Sequence, residues 1–278
     1  MKLEIKVDKM GAELQSVIVN GKERMHDGKT YWNRHAPNLF PIVGELKNGK
    51  TIINGQTYEM TRHGFAREMN FEERKVSDHI YEYILKDNEE TLQKYPFHFT
   101  LLIRYEIKGN TLEVTYQVEN NDDKEMLFGI GAHPAFRIEI EKEEYELEFE
   151  QEEKDMTFKK LKDGLVSDEL FENILEENKK IKITKDLFLE DALIIEKMRS
   201  NKITLNNKTK NQKELTFDFT GFTHMGIWAK PGAPFVCIEP WYTTADKINH
   251  TGYLKDKEGI ITVKPNEKFE CKYAVEFF

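Results

Sequence analysis

The sequence predicts an all-β fold, a large antiparallel β-sandwich with a few short helices, on three observations. Apolar residues recur with a period of two over long stretches, two-residue turn signals separate those stretches, and helical periodicity is scarce. The alternation is clearest where Phe99, Leu101, Ile103, Tyr105 and Ile107 interleave with Thr100, Leu102, Arg104, Glu106 and Lys108. It resumes with Leu112, Val114, Tyr116 and Val118 after Gly109-Asn110, a hairpin signal. One face of this pair is predicted apolar and the other wet.

Shorter strand-like runs follow at 80–85, 145–149, 193–195, 215–219, 235–238 and 269–277, and Asn20-Gly21 and Asn54-Gly55 mark further turns. Strand following strand with turn punctuation indicates a sandwich or barrel. Two charged stretches stand apart. Residues 139–153 are acid-rich, and within 163–180 the segment Ser167-Asp168-Glu169-Leu170-Phe171 reads as the start of a short helix on a surface excursion. No Pro/Gly/Ser-rich linker or internal repeat divides the 278 residues, so one domain, 1–278, is expected.

Composition narrows the function. With 39% hydrophobic residues, 18 Phe and 11 Tyr, the chain has enough apolar side chain for a sizeable core. A formal charge of −9 argues against binding nucleic acid, whose phosphates are neutralised by Lys and Arg. No apolar stretch approaches the ~20 residues that cross a bilayer, and the N-terminus lacks the apolar core of a secretion signal, so a cytoplasmic protein without a membrane partner is expected. Cys237 and Cys271 lie far apart inside strand-like runs and read as small buried hydrophobes.

Four segments carry chemistry-bearing residues. The run Phe235-Val236-Cys237-Ile238-Glu239-Pro240-Trp241 reads as a buried strand that Pro240 ends, having no N–H for the ladder. A carboxylate at such a strand end is partly desolvated, which raises its pKa and suits proton acceptance near neutrality. From this segment alone the stronger reading is a Glu239 that has reached solvent or is paired to a structural arginine. His133 follows Gly129-Ile130-Gly131-Ala132 and precedes Pro134; these residues interrupt a ladder and turn the imidazole toward a cavity or toward the core. His63, in Arg62-His63-Gly64-Phe65-Ala66-Arg67, reads by itself as a loop histidine, and Asp191 and Asp246 as turn residues or caps. Trp32, Phe136 and Trp241 offer aromatic faces for sugar C–H groups, or else belong to the core. Glycine-rich phosphate cradles, a Gly-x-Ser-x-Gly elbow and a His-Glu-x-x-His pair are missing, so no metal or cofactor is implied.

Taken in order, Asn38-Leu39-Phe40-Pro41-Ile42-Val43-Gly44, His63-Gly64-Phe65-Ala66-Arg67, Gly131-Ala132-His133-Pro134-Ala135-Phe136 and Phe235–Trp241 closely resemble the aldose 1-epimerase (galactose mutarotase-like) family, in a bacterial branch whose members often lack a settled substrate. The resemblance runs from about Gly11 to the C-terminus. It implies a supersandwich with a sugar in a cleft on one sheet, and cofactor-free interconversion of the α and β anomers of an aldose, by a monomer or homodimer. It further implies Glu239 as general base on the anomeric hydroxyl and His133 as general acid on the ring oxygen. His63 and, more loosely, Asp191 match positions that hold the sugar, with Arg67, Trp32 and Phe136 as further contacts. One departure stands out: family members commonly carry an arginine after Phe-Pro-x-x-Gly, where this chain has Glu45. Arg67 or Lys47 is then expected to supply the cation, unless the substrate is bound differently. The readings left open are a free hexose, a hexose 6-phosphate, and a carbohydrate-binding protein without turnover. A glycosidase on a similar sandwich would need a second carboxylate, for which Asp191 and Asp246 are the candidates.

Overall fold

A computed structural model describes residues 2–278. The two long alternating runs form the strands Phe99–Lys108 and Thr111–Asn120, paired antiparallel through the Gly109-Asn110 turn. Gly109 has φ 67°, the positive value that a tight hairpin wants at its first turn position. Leu101, Ile103, Tyr105, Leu112, Val114, Tyr116 and Val118 are buried, as the period of two predicts.

These strands lie in a nine-stranded antiparallel sheet. Its order is Lys180–Ile183, Tyr145–Phe149, Lys202–Asn207, Gln212–Asp218, Lys268–Phe277, Thr111–Asn120, Phe99–Lys108, Ile80–Lys86 and Glu72–Ser77. An eight-stranded antiparallel sheet runs Leu165–Leu170, Thr157–Lys162, Leu193–Glu196, His224–Trp228, Phe235–Trp241, Gly131–Ala132 and Asn38–Leu39, with Ala135–Arg137 also paired to Phe235–Trp241. One buried apolar cluster joins the inner faces of both sheets, for example where Phe136 meets Phe217 and Phe277 with ring centroids 6.0 and 6.4 Å apart. The molecule is thus the sandwich that the alternation predicts.

Buried polar groups at the seam are satisfied. Tyr116 Oη donates to Asn38 Oδ1 at 2.7 Å, and Asn38 Nδ2 donates to the carbonyls of Gly11 and Ala12 at 2.9 and 3.0 Å. This network anchors the start of the segment that continues through Phe40 to Gly44 and the site.

Two expectations are corrected. Ser167–Phe171 does not begin a helix: Leu165–Leu170 is a strand paired with Thr157–Lys162, with Val166 and Ser167 buried. Cross-strand pairing and burial outweighed the local capping signal. The α-helix among the described residues is instead Glu89–Lys94, closed by a capping box in which Asn88 Oδ1 accepts from Thr91 N–H at 3.0 Å and Thr91 Oγ1 from Asn88 N–H at 2.8 Å. Nor does Pro240 end its strand, which runs through Phe235–Trp241. Ile238 N–H reaches the Pro134 carbonyl at 3.3 Å, so by the period of two the Pro240 nitrogen faces the same edge. There the ladder is already broken between Gly131–Ala132 and Ala135–Arg137, and no donor is missed. No described helix is long and apolar enough to cross a membrane.

Candidate active site

The eight-stranded sheet carries a cavity of about 240 Å³ on the face turned away from the core. Strand alternation decides which residues reach it. Along Phe235–Trp241, Val236 and Ile238 point into the core, while Glu239 and Trp241 line the cavity. His133 arrives from the break in the neighbouring ladder, the position that Gly131 and Pro134 mark in the sequence. Trp32, His63, Arg67 and Asp191 complete the set of expected residues that line this cavity.

Glu239 and His133 are neighbours, not opposite walls: His133 Nε2 lies 3.1 Å from Glu239 Oε2. The contact is not aligned as a hydrogen bond, and Glu239 Oε2 and His133 Nδ1 are both buried without a hydrogen-bonding partner. The imidazole is wedged among rings, 4.8 Å from Trp32, 5.7 Å from Trp228 and 5.6 Å from His63 between centroids. Burial raises the Glu239 pKa well above the carboxylate range, and the Asp191 charge adds to the rise. Burial likewise pushes the His133 pKa down to about 3, with the guanidinium groups of Arg67, Arg34 and Arg62 contributing. A neutral carboxyl beside a neutral imidazole holds as many protons as a carboxylate beside an imidazolium. The pair therefore retains one transferable proton, and moving it across 3.1 Å exchanges the two forms.

His63 sits at φ 66° in the loop before the 3₁₀ turn Ala66–Glu68. Its N–H donates to the Gly44 carbonyl at 2.9 Å, and its Nδ1 accepts from Gly44 N–H at 3.1 Å. That acceptance requires the tautomer protonated on Nε2, which makes His63 a hydrogen-bond donor through Nε2. Burial holds its pKa well below 6.5, and His133 and Arg67 reinforce the shift. Asp191, at φ 78°, accepts from Ala192 N–H through Oδ1 at 2.8 Å, which leaves Oδ2 for a ligand. Trp32 is held by its own carbonyl, 2.9 Å from His26 Nε2.

Glu45 lines the cavity and accepts from Arg62 Nε at 2.8 Å. The residue that stands in place of the expected arginine thus holds an arginine from another loop beside the cavity. Arg67 also lines it, whereas Lys47 turns away and donates to the His250 carbonyl at 3.2 Å. Phe136 is corrected. It pairs with Val236, shares that residue's core-facing side, and packs between the sheets at 2% exposure.

Sequence reasoning passed over Trp228 and Lys230, which line the cavity from the strand beside Glu239 and the residues after it. The signal was Gly226, whose register partner is Glu239. A Cβ there would come within 2.4 Å of the Trp241 ring, so glycine makes room for the indole over the sheet.

Two groups of donor atoms are close enough to share a metal ion. His133, Cys237 and Glu239 form one, inside the cavity. Glu196, His224 and Glu258 form the other, where Lys247 Nζ already lies 2.6 Å from Glu258 Oε2. Cys237 and Cys271 are buried free thiols.

Comparison with known proteins agrees with this architecture. The sequence profile described as Aldose 1-epimerase matches residues 1–262. The plasmid-encoded protein LacX of Lactococcus lactis is 31% identical over 257 residues, covering 88% of this chain and 86% of that protein. A galactose mutarotase related enzyme from Lactobacillus acidophilus superposes with a TM-score of 0.91 at 33% identity, covering 99% of this chain and 94% of the other. A galactose mutarotase-like protein from Lactobacillus casei also reaches 0.91, at 29% identity, covering 100% and 97%. The protein belongs to the aldose 1-epimerase family.

Proposed function

We propose that this protein is a mutarotase that interconverts the α and β anomers of a free hexose, with Glu239 as general base and His133 as general acid. The observation that carries the proposal is the contact between His133 Nε2 and Glu239 Oε2, 3.1 Å long, between two residues that line a cavity of about 240 Å³ and keep buried polar atoms without hydrogen-bonding partners. The anomeric hydroxyl and the ring oxygen are both bonded to C1, so groups that serve them must be adjacent. A base and an acid in contact meet that need better than groups on opposite walls.

In the carboxylate–imidazolium form, Glu239 takes the proton of the anomeric hydroxyl as His133 protonates the ring oxygen. The C1–O bond to the ring opens, giving the free aldehyde. Rotation about C1–C2 presents the other carbonyl face, and reclosure with both transfers reversed yields the other anomer. Protons and electrons balance within the pair, so the reaction calls for no redox group or cofactor. His63 Nε2–H and Asp191 Oδ2 supply a donor and an acceptor for sugar oxygens, and Trp32, Trp228 and Trp241 supply apolar faces.

A second reading, a phosphorylated aldose as substrate, is favoured by one observation. Lys230 lines the cavity with no carboxylate within 4 Å among the described residues, and Arg62 and Arg67 line the same cavity. Polarimetry of freshly dissolved α-D-glucose and α-D-galactose, with their 6-phosphates in parallel, separates the two. Faster anomer exchange with free sugars is the expected result. Acceleration confined to the phosphates would move the assignment to the second reading, and acceleration of neither would leave a binding protein without turnover.

A further inference from the structure

Next to the cavity-lining Glu45 and Ala245 lies an ion pair with no part in the proton transfers. Lys257 Nζ donates to Asp246 Oδ1 at 2.8 Å, and both side chains are at most 1% exposed. A buried pair of this kind is a poor source of stability, because desolvation offsets most of the attraction. Its remaining hydrogen bonds suggest another use. Asp246 Oδ2 accepts from Lys47 N–H at 2.9 Å, and Asp246 N–H donates to the Glu45 carbonyl at 2.8 Å. The segment Glu45–Lys47 is therefore gripped at two points by one residue.

The next residue back is Gly44, which touches His63 through both of its backbone groups. Gly44 is pressed against the same support, since a Cβ there would lie 2.5 Å from Ala245 Cα. The connection runs without a gap from Lys257 to Asp246, to the backbone of residues 45–47, to Gly44 N–H, and to His63 Nδ1.

We propose that Asp246 and Lys257 are positioning residues that hold the Gly44–Lys47 segment so that Gly44 N–H keeps His63 in its Nε2–H tautomer. The catalytic consequence rests on the mutarotase reading, in which that Nε2–H donates to a sugar oxygen. Without the grip, Gly44 N–H leaves Nδ1, the Nδ1–H tautomer becomes populated, and the donor is lost from part of the enzyme.

Two variants test this. Asp246→Ala combined with Lys257→Met removes the side-chain half of the grip without stranding the Lys257 charge, and leaves the backbone bond from residue 246 to the Glu45 carbonyl. Lys47→Pro leaves the ion pair in place and deletes the N–H that Asp246 accepts, together with the Lys47 Nζ bond to the His250 carbonyl. Leu46, at φ −89° and ψ 142°, already has the extended backbone that precedes proline. Long-range ¹H–¹⁵N correlation spectra of the His63 ring report the tautomer directly, and polarimetry reports kcat and KM. The expected result is a single Nε2–H signature in the wild type and added Nδ1–H character in both variants. With it, kcat falls roughly 10–100-fold and KM changes far less. A His63 signature unchanged in both folded variants would overturn the proposal, whatever happens to activity. The tautomer is read without substrate, so failure of the mutarotase reading leaves this result standing.

Discussion

Glu239 and His133 occupy surroundings that favour neither charge, yet they share one proton over 3.1 Å, and this tension sets what each substitution does. Glu239→Gln and His133→Asn each remove one proton carrier and are expected to lower kcat by about 10²–10⁴, measured by polarimetry. Glu239→Gln also removes a buried carboxyl that burial disfavours in its charged form, so its melting temperature is expected to match or exceed the wild type's. The pH dependence of stability follows from the same shifts. His133, at about 3 in the folded chain, and His63, also lowered, take up protons on unfolding when the pH is below the ordinary imidazole value of about 6.5. Their stabilising contribution is complete above about pH 6.5 and is lost as the pH falls. Glu239, raised in the fold, acts in the opposite sense above about pH 4.3. Four imidazoles, His35, His63, His133 and His224, are lowered, against the raised His98 and Glu239, so stability is expected to fall on acidification below about pH 6.5. Calorimetry should show the melting temperature falling from pH 7 to 5, with a shallower fall in His133→Gln. A wild-type melting temperature that is flat or rises on acidification would contradict these shifts.

At the scale of elements, the strand Phe235–Trp241 places its base by alternation, and a glycine on the adjacent strand clears space for its Trp241 indole. Gly226→Ala is expected to push the Trp241 indole off the sheet and lower kcat/KM by roughly 10–100-fold, because displacements near 1 Å matter at this range. Circular dichroism should show the strand content retained. The existence of this strand was legible in its apolar run; the role of its proline was not, because that depends on which edge the missing N–H faces. The segment at 167–171 was misread for a related reason. Its polar residues suit a helix start, but pairing with Thr157–Lys162, which no local pattern reveals, made it a strand.

Across the whole molecule, the two sheets divide the labour: one face of the eight-stranded sheet seals the core and the other bears the cavity. Phe136, only three residues from His133, belongs to the core side. Phe136→Ala is expected to cost about 3–5 kcal/mol of stability by leaving a cavity, with KM unchanged. Urea denaturation and polarimetry on the same preparation measure both. A raised KM would return Phe136 to the site.

The period of two, the Asn-Gly and Gly-Asn turns, and the ordered motifs around His63, His133 and Glu239 determined the sandwich and, of the cavity's lining, His63, Arg67, His133, Glu239 and Trp241, because alternation and turn geometry are local properties of the chain. Tertiary structure alone decided that His133 and Glu239 touch, that Glu45 holds Arg62, that Phe136 faces inward, and that Trp228 and Lys230 join the cavity. These are contacts between distant segments, set by strand register and by the side of the sheet each residue takes. Register is a relation between strands, and one strand's sequence does not contain it.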